Sequence, residues 1–339
     1  MLDIIEKNPN TDNILSVSFK ILINNLWPDD YDPSSQKYNE YYFAPEEFKN
    51  KISRMNPLFE GIAANDAKDL VNFIIMTLHI ELNKEDEIPD IKRNNNVVDQ
   101  TNKDLMFEIF NQDFMDKNHS IVSDIFYAIN SNKTQCSNCQ AIIYNYQTYF
   151  FMTFPLEEVR RKKQQLMQNN QMNQFGFQYG FNNYNNIEIK EVNIYECFEY
   201  DRQINFMSGE NSMYCNKCKQ TSSCYMQTIL ITGPEILIII LNRGKGIEFD
   251  VKINFVEELD LSNYIEKKNT GTKYKLMGVI THLGDSSMSG HFIAYCPDPF
   301  MKKWFKYNDA FVSEVKDFKK DVIDYAMPYL LFYRKIKYN

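Results

Sequence analysis

An α+β fold is the class this sequence predicts, on three observations. Helical periodicity dominates the first 82 residues, runs rich in β-branched and aromatic residues follow from about residue 120, and two Cys-x-x-Cys pairs stand among those runs. Helices and strands segregated along a chain favour α+β over an alternating α/β order. The 339 residues suffice for a sizeable core, and 44% hydrophobic with 14% aromatic residues marks a globular chain.

The elements follow in order. Ile14, Leu15, Val17, Phe19, Leu22, Ile23 and Leu26 form an amphipathic pattern ended by Trp27-Pro28, which reads as a helix. Residues 29–39 read as a loop. Pro45-Glu46-Glu47-Phe48 opens a second helix, with proline in its first turn and acids at the positive end of the dipole, running to about Met55 before Asn56-Pro57. A third begins at Asn65 or Asp66, with Ala67, Leu70, Val71, Ile74, Ile75 and Leu78 at helical spacing. As a cap, Asp66 contributes ~1 kcal/mol. Residues 84–104 read as a charged, Asn-rich loop, and His119 as a solvated residue. Asp124 to Ile129 alternates as a strand. Residues 161–188 begin in the basic Arg160 to Lys163 run and continue in Gln, Asn, Met, Tyr and Phe, a composition expected to stay disordered. Pattern returns from Glu191, includes the apolar run Pro234 to Arg243, and closes with an aromatic-rich strand from Tyr325 to Tyr333.

Cys136-x-x-Cys139 and Cys215-x-x-Cys218 each have the spacing of half a zinc knuckle. Four thiolates close a tetrahedron with no open position, so a zinc held there is structural. Roughly 75 residues separate the pairs, which is tolerable because loop closure costs grow slowly with length. Cys197, Cys224 and Cys296 remain and read as small buried hydrophobes.

Ser289 to Cys296 and Trp304 to Asp309 read as two strands joined at Pro297-Asp298-Pro299. Folded symmetrically about that turn, the hairpin sets His291 directly opposite Asn308, where cross-strand Cβ atoms lie about 4.5–5.5 Å apart. An amide oxygen at that distance fixes an imidazole in tautomer and direction, as a general base requires. Cys296 lies five residues from His291, about 16 Å along a strand, too far to share its proton.

Gly290-His291-Phe292, Tyr295, Trp304 and Tyr307-Asn308-Asp309 resemble the histidine box of the ubiquitin-specific proteases, papain-like cysteine peptidases that remove ubiquitin from proteins. Tyr274-Lys275-Leu276, Gly278-Val279-Ile280, His282 and Gly284 resemble the strand leading into that box, Pro234 to Arg243 the family's buried strand, and Asp66-Ala67-Lys68-Asp69-Leu70 its acidic helix start. The motifs cover about residues 40–335 in the family's order. The resemblance implies a papain-like palm, thumb and fingers in one domain over 1–335. A partial thumb, incomplete at its N-terminus, takes 1–110, and the palm sheet 231–335. Zinc-ribbon fingers take 120–160 and 189–230 around the 161–188 insertion. It implies His291 as base, Asn308 as its orienting partner and Asp309 as an alternative polarising group. Asp66 is expected to bind the backbone of ubiquitin's tail, and His282 to be structural.

The family's nucleophile sits in an Asn-x-Gly-x-x-Cys-Tyr segment upstream of the Asp-Ala helix, on a helix packed centrally between the lobes. Residues 1–65 contain no cysteine, and the first is Cys136. The reading is therefore a deubiquitinase domain whose nucleophilic segment is missing, through a sequence that begins too late. The alternative is a catalytically dead ubiquitin-binding pseudoenzyme or scaffold. A net charge of −8 argues against a nucleic-acid partner and suits a basic protein such as ubiquitin. No apolar run reaches the ~20 residues of a membrane span. Seven cysteines, four in metal-type pairs, suit a reducing intracellular compartment, cytoplasm or nucleus.

Overall fold

A computed structural model describes residues 14–28, 43–61, 65–83, 102–174, 191–243, 251–268, 271–286, 289–298, 303–324 and 327–337. Helices α1 (Ile14–Leu26), α2 (Glu46–Met55) and α3 (Ala67–Glu81) form the N-terminal layer. Asp66 caps α3 by accepting the Lys68 N–H at 2.9 Å. The carboxylate of Glu81, at the other end of α3, accepts the N–H groups of Leu15 and Ser16 at 3.0 and 2.7 Å. A negative charge at the positive end of α1 thus ties the two helices together. Leu15 is fully buried, whereas Ile14, Val17 and Ile21 form an exposed stripe.

Two helices depart from the sequence reading. Helix α4 (Lys103–Asn118) starts within the last two residues of the stretch expected as an Asn-rich loop, 84–104. Its signal is Phe107, Phe110 and Phe114 at helical spacing; the first two meet Tyr146, and Phe114 stacks on Tyr127 with centroids 4.2 Å apart. Residues expected to start a strand at Asp124 instead lie in α5 (Ile121–Phe126), set by a Ser120–Ser123 capping box. The strand β1 (Ala128–Cys136) begins only after it.

Chain order then gives β2 (Ile142–Tyr149), β3 (Phe151–Pro155), α6 (Leu156–Gln174), β4 (Glu191–Asn193), α7 (Ile194–Asp201), β5 (Asn205–Met207), β6 (Met213–Cys215), β7 (Gln220–Ser222), β8 (Cys224–Leu230) and β9 (Ile236–Asn242). After these come β10 (Lys252–Asn254), β11 (Glu258–Asp260), β12 (Lys273–Ser286), β13 (Ser289–Pro297), β14 (Trp304–Asn308), β15 (Phe311–Glu314) and β16 (Pro328–Lys335). One sheet runs β2-β1-β8-β5, with the β6–β7 hairpin forming a separate two-stranded sheet. The large sheet runs β15-β14-β13-β12-β16-β9-β3. The unbroken apolar run of β9 follows from burial on both faces. Leu237, Ile239 and Leu241 enter the core under α6 and α7, while Ile238 and Ile240 enter the core shared with α1 to α3.

Two expected boundaries move. Residues 151–160 do not belong with the fingers: β3 pairs in parallel with β9 in the large sheet, and Leu156 and Val159 are buried in its core. Residues 161–174 are helical rather than a disordered insertion, and the rest of 161–188 lies outside the described residues. The basic run is held locally. Glu157 accepts from Arg160 and Arg161, and Lys163 pairs with Glu196 at 3.0 Å. The i,i+3 and i,i+4 pairs of Glu157, with the long-range Lys163–Glu196 pair, supply what composition alone hides.

Candidate functional site

The hairpin of β13 and β14 positions the first part of the site. Direct opposition of His291 and Asn308 is not what forms. The ladder pairs Ala294 with Tyr307 and Pro297 with Trp304, a register displaced by two residues. The turn is longer than a Pro-Asp-Pro corner, closing with the Asp298 N–H on the Lys303 carbonyl at 2.8 Å. A shift of two keeps each side chain on its face. His291 and Asn308 become diagonal neighbours just beyond the ladder, and their side chains bridge the gap: His291 Nε2 lies 2.6 Å from Asn308 Oδ1. The amide oxygen only accepts, so Nε2 carries the proton and Nδ1 is left as the basic nitrogen.

Asp309 Oδ2 lies 3.7 Å from the same Nε2, and its side chain is 79% exposed. Asp309 has φ 51° and is the first residue of the two-residue turn that follows the Asn308–Phe311 pair. Such turns need positive φ there, which Asp tolerates better than most residues. Its place is explained by the turn as well as by the imidazole. Gly290 has its own constraint: a Cβ there would collide with the His282 ring and the Leu283 carbonyl. His282 also packs edge-on to Phe292, centroids 4.8 Å apart.

From Phe292 the contacts lead to the start of α3. Phe292 packs on Tyr329 of β16 at 5.5 Å. The Tyr329 hydroxyl donates to Asp66 Oδ2 at 2.6 Å, and Lys68 Nζ lies 2.5 Å from that oxygen and 3.1 Å from the hydroxyl. Burial alone would raise the Asp66 pKa, but the Lys68 and Tyr329 donors outweigh it and hold the carboxyl below its ordinary value. Asp66 is therefore already paired within the chain. Lys68 and Tyr329 are site residues that sequence reasoning missed. Lys68 was visible as the charge two residues after the cap, whereas the approach of Tyr329, 263 positions away, has no local signal.

The four cysteines of the two pairs converge. Their Sγ atoms all lie within 4.8 Å of one another, with Cys136–Cys218 at 3.8 Å and Cys139–Cys215 at 3.7 Å. A tetrahedral ion with sulfur ligands at ~2.3 Å needs edges of ~3.8 Å, which the two measured edges match, so the cluster could hold a metal ion. The two knuckles repeat one backbone form. Gln140 N–H returns to Cys136 O and Lys219 N–H to Cys215 O, with φ 59° and 58° at Gln140 and Lys219. Backbone N–H groups, that of Cys139 foremost, bring the Cys136 thiol down to about 6, toward the thiolate a metal binds. The Asn138 amide reaches Cys218 Sγ at 3.5 Å.

The other thiols are set apart from His291. Cys197 is fully buried in α7, its pKa pushed up to about 12 by burial, and Cys224 is buried in β8. Cys296 is paired with Phe305, and burial also raises its thiol. Among the described residues, no helix is long and apolar enough to cross a membrane.

The family described as "Ubiquitin carboxyl-terminal hydrolase" matches residues 2–333. The chain is 24% identical over 296 residues to ubiquitin carboxyl-terminal hydrolase 2 of Gallus gallus, covering 86% of this chain and 73% of that protein. It is 22% identical over 303 residues to ubiquitin carboxyl-terminal hydrolase Usp2 of Drosophila melanogaster, covering 88% of this chain and only 28% of that one. Among solved structures it resembles the SAGA DUB module bound to monoubiquitin, with a TM-score of 0.62 and 18% identity over 97% of this chain and 60% of that one. That likeness is one of fold.

Proposed function

We propose that this chain, which belongs to the ubiquitin carboxyl-terminal hydrolase family, is a ubiquitin-recognising deubiquitinase fold that supplies a general base and its positioning partner but no nucleophile from residues 1–339. The observation that carries the reading is the 2.6 Å bond from His291 to Asn308, which leaves Nδ1 as the basic nitrogen. In a complete site of this kind the imidazole takes a thiol proton and the thiolate attacks the carbonyl of ubiquitin's last glycine. Residues 1–65, upstream of Asp66, contain no cysteine. Helix α1 packs against α2 and α3, and its Leu15 shares a core with Ile238, Ile240 and Leu330 of the large sheet. Helix α1 itself carries no cysteine. Loss of the nucleophile from a comparable serine triad costs on the order of 10⁶ in kcat.

Asp66 takes the role of tail contact in this reading. Its carboxylate, at the start of α3, is linked through Tyr329 and Phe292 to the strand that bears His291. The fingers tip is closed by a structural zinc on Cys136, Cys139, Cys215 and Cys218, which has no catalytic part because four thiolates leave no open position.

Two measurements on the purified chain test this. Titration with fluorescent ubiquitin should give saturable binding that Asp66→Ala weakens, and ubiquitin bearing a C-terminal thiol-reactive warhead should leave every cysteine unlabelled. Covalent labelling of any of the seven thiols, or no binding at all, would reject it. Zinc should be present at one equivalent and leave under chelation with loss of fingers structure. A second reading, a hydrolase completed by a thiol from outside residues 1–339, is favoured by the tautomer that Asn308 imposes, which binding alone does not require. Restored labelling when an Asn-x-Gly-x-x-Cys-Tyr segment is fused upstream would support it.

A further inference from the structure

Cys224 is a fifth thiol beside the metal cluster that the cluster does not use. The ladder between β1 and β8 sets it directly opposite Cys136. The neighbouring pair is hydrogen-bonded, Ser137 N–H to Ser223 O at 3.0 Å, while Cys136 N–H turns the other way to Ala141 O at 2.9 Å. Hydrogen-bonded and non-hydrogen-bonded pairs alternate along an antiparallel ladder, so Cys136 and Cys224 form a non-hydrogen-bonded pair. In such a pair the Cα atoms stand about 4.5 Å apart with the side chains on one face, inside the roughly 4.4–6.8 Å that a disulfide spans. Both residues are buried, Cys136 at 6% and Cys224 at 2% exposure.

From this geometry we propose that Cys136 and Cys224 are a redox modification site: a peroxide converts them to a cross-strand disulfide and so removes one ligand from the metal cluster. The inference deepens the zinc reading above. In the step, the Cys136 thiolate and the Cys224 thiol give up two electrons to the peroxide O–O bond. One sulfur–sulfur bond forms, the Cys136–metal bond breaks, and the Cys224 proton ends on one of the two peroxide oxygens, which leave as water and hydroxide. Cys139, Cys215 and Cys218 remain, and three thiolates hold a tetrahedral ion more weakly than four. The β-ladder keeps the reacting pair aligned whether the ion is present or absent, and Cys224, unlike the four ligands, is not bound to the metal.

The test uses the full chain loaded with zinc and exposed to hydrogen peroxide, with zinc release followed by a chromogenic chelator and disulfides mapped by non-reduced peptide mass spectrometry. A Cys136–Cys224 peptide should accumulate in step with released zinc. Cys224→Ala should slow release at least ten-fold. Release from Cys224→Ala at the native rate, or a first disulfide joining two of the four ligands, would overturn the proposal. The peptide map of the unmutated chain decides the question should the variant fail to fold. The same disulfide should form in chelated protein, so a chain that never held zinc would sink the zinc reading and leave this one standing on its own map.

Discussion

Tyr329→Phe isolates the network that joins α3 to the large sheet. The substitution keeps the ring against Phe292 and removes only the hydroxyl, which donates to Asp66 Oδ2 at 2.6 Å and accepts from Lys68 Nζ at 3.1 Å. A hydrogen bond to a charged group contributes about 1.5–3 kcal/mol. The side chains of Asp66 and Lys68 are 29% and 39% exposed, and each keeps the other as partner, so neither is orphaned. Both facts put the loss at the low end, about 1.5 kcal/mol, or roughly ten-fold in the folding equilibrium. With a urea m-value of about 3 kcal/mol/M, the midpoint should fall by about 0.5 M with m unchanged. The effect carries a pH signature. The folded Asp66 carboxyl is held below its unfolded value by its donors, so its stabilisation is fully present above the unfolded pKa of about 3.9 and is lost as pH falls through the folded value. The gap between native and Tyr329→Phe midpoints should therefore narrow in acid. An unchanged midpoint at pH 7, or a gap that stays constant down to pH 2, would refute the coupling of hydroxyl and carboxylate.

Three further outcomes follow from local geometry. Gly290→Ala should destabilise by more than about 2 kcal/mol and abolish the downfield Nε2–H proton resonance of His291, because the new methyl meets the His282 ring and a backbone carbonyl; a stable variant with that resonance intact would contradict the packing. Lys219→Gly should raise the chelator concentration needed to strip the fingers and stabilise the metal-loaded chain by about 1 kcal/mol, since glycine adopts the φ of 58° without strain. His79 is buried with Nδ1 2.7 Å from Ser120 Oγ, and burial lowers its pKa, so its contribution is present above the unfolded value of about 6.5 and lost as pH falls below it. His79→Gln should flatten the fall in stability between pH 6.5 and 5, measured by urea titration at each pH, and an unchanged slope would assign that fall to another group.

What could be read from the sequence was what short-range periodicity or close spacing encodes. Helices α1 to α3 announce themselves by caps, prolines and apolar spacing, and the four cysteines by their paired intervals. The contact of His291 with Asn308 was legible because its face parity survives an error of two residues. The register itself was not, since it depends on how many residues the turn between Asp298 and Lys303 consumes. Helix α6 was hidden because Asn and Gln give it no apolar stripe, and its start is fixed by ion pairs and by Leu156 and Val159 meeting distant strands. The same holds for Tyr329, whose role exists only because the last strand lies beside one that begins near residue 273.

The hairpin tip shows why stability alone does not account for the His291–Asn308 pair. A single hydrogen bond between half-exposed side chains contributes about 1 kcal/mol at most. The turn that follows it places a non-glycine residue, Asp309, at φ 51°, which costs about as much. The two terms nearly cancel, so this corner stores an oriented imidazole at little net gain to the fold. A purely structural hairpin would reach the same stability with glycine at 309 and no histidine at 291. By contrast, Asp66, Lys68 and Tyr329 are mutually satisfied and do stabilise the junction of α3 with the sheet, so a ligand that takes the Asp66 carboxylate must offset the pairing it displaces. Under the proposed tail contact, binding at Asp66 is expected to be modest in affinity and sensitive to salt, with Lys68 as the competing group.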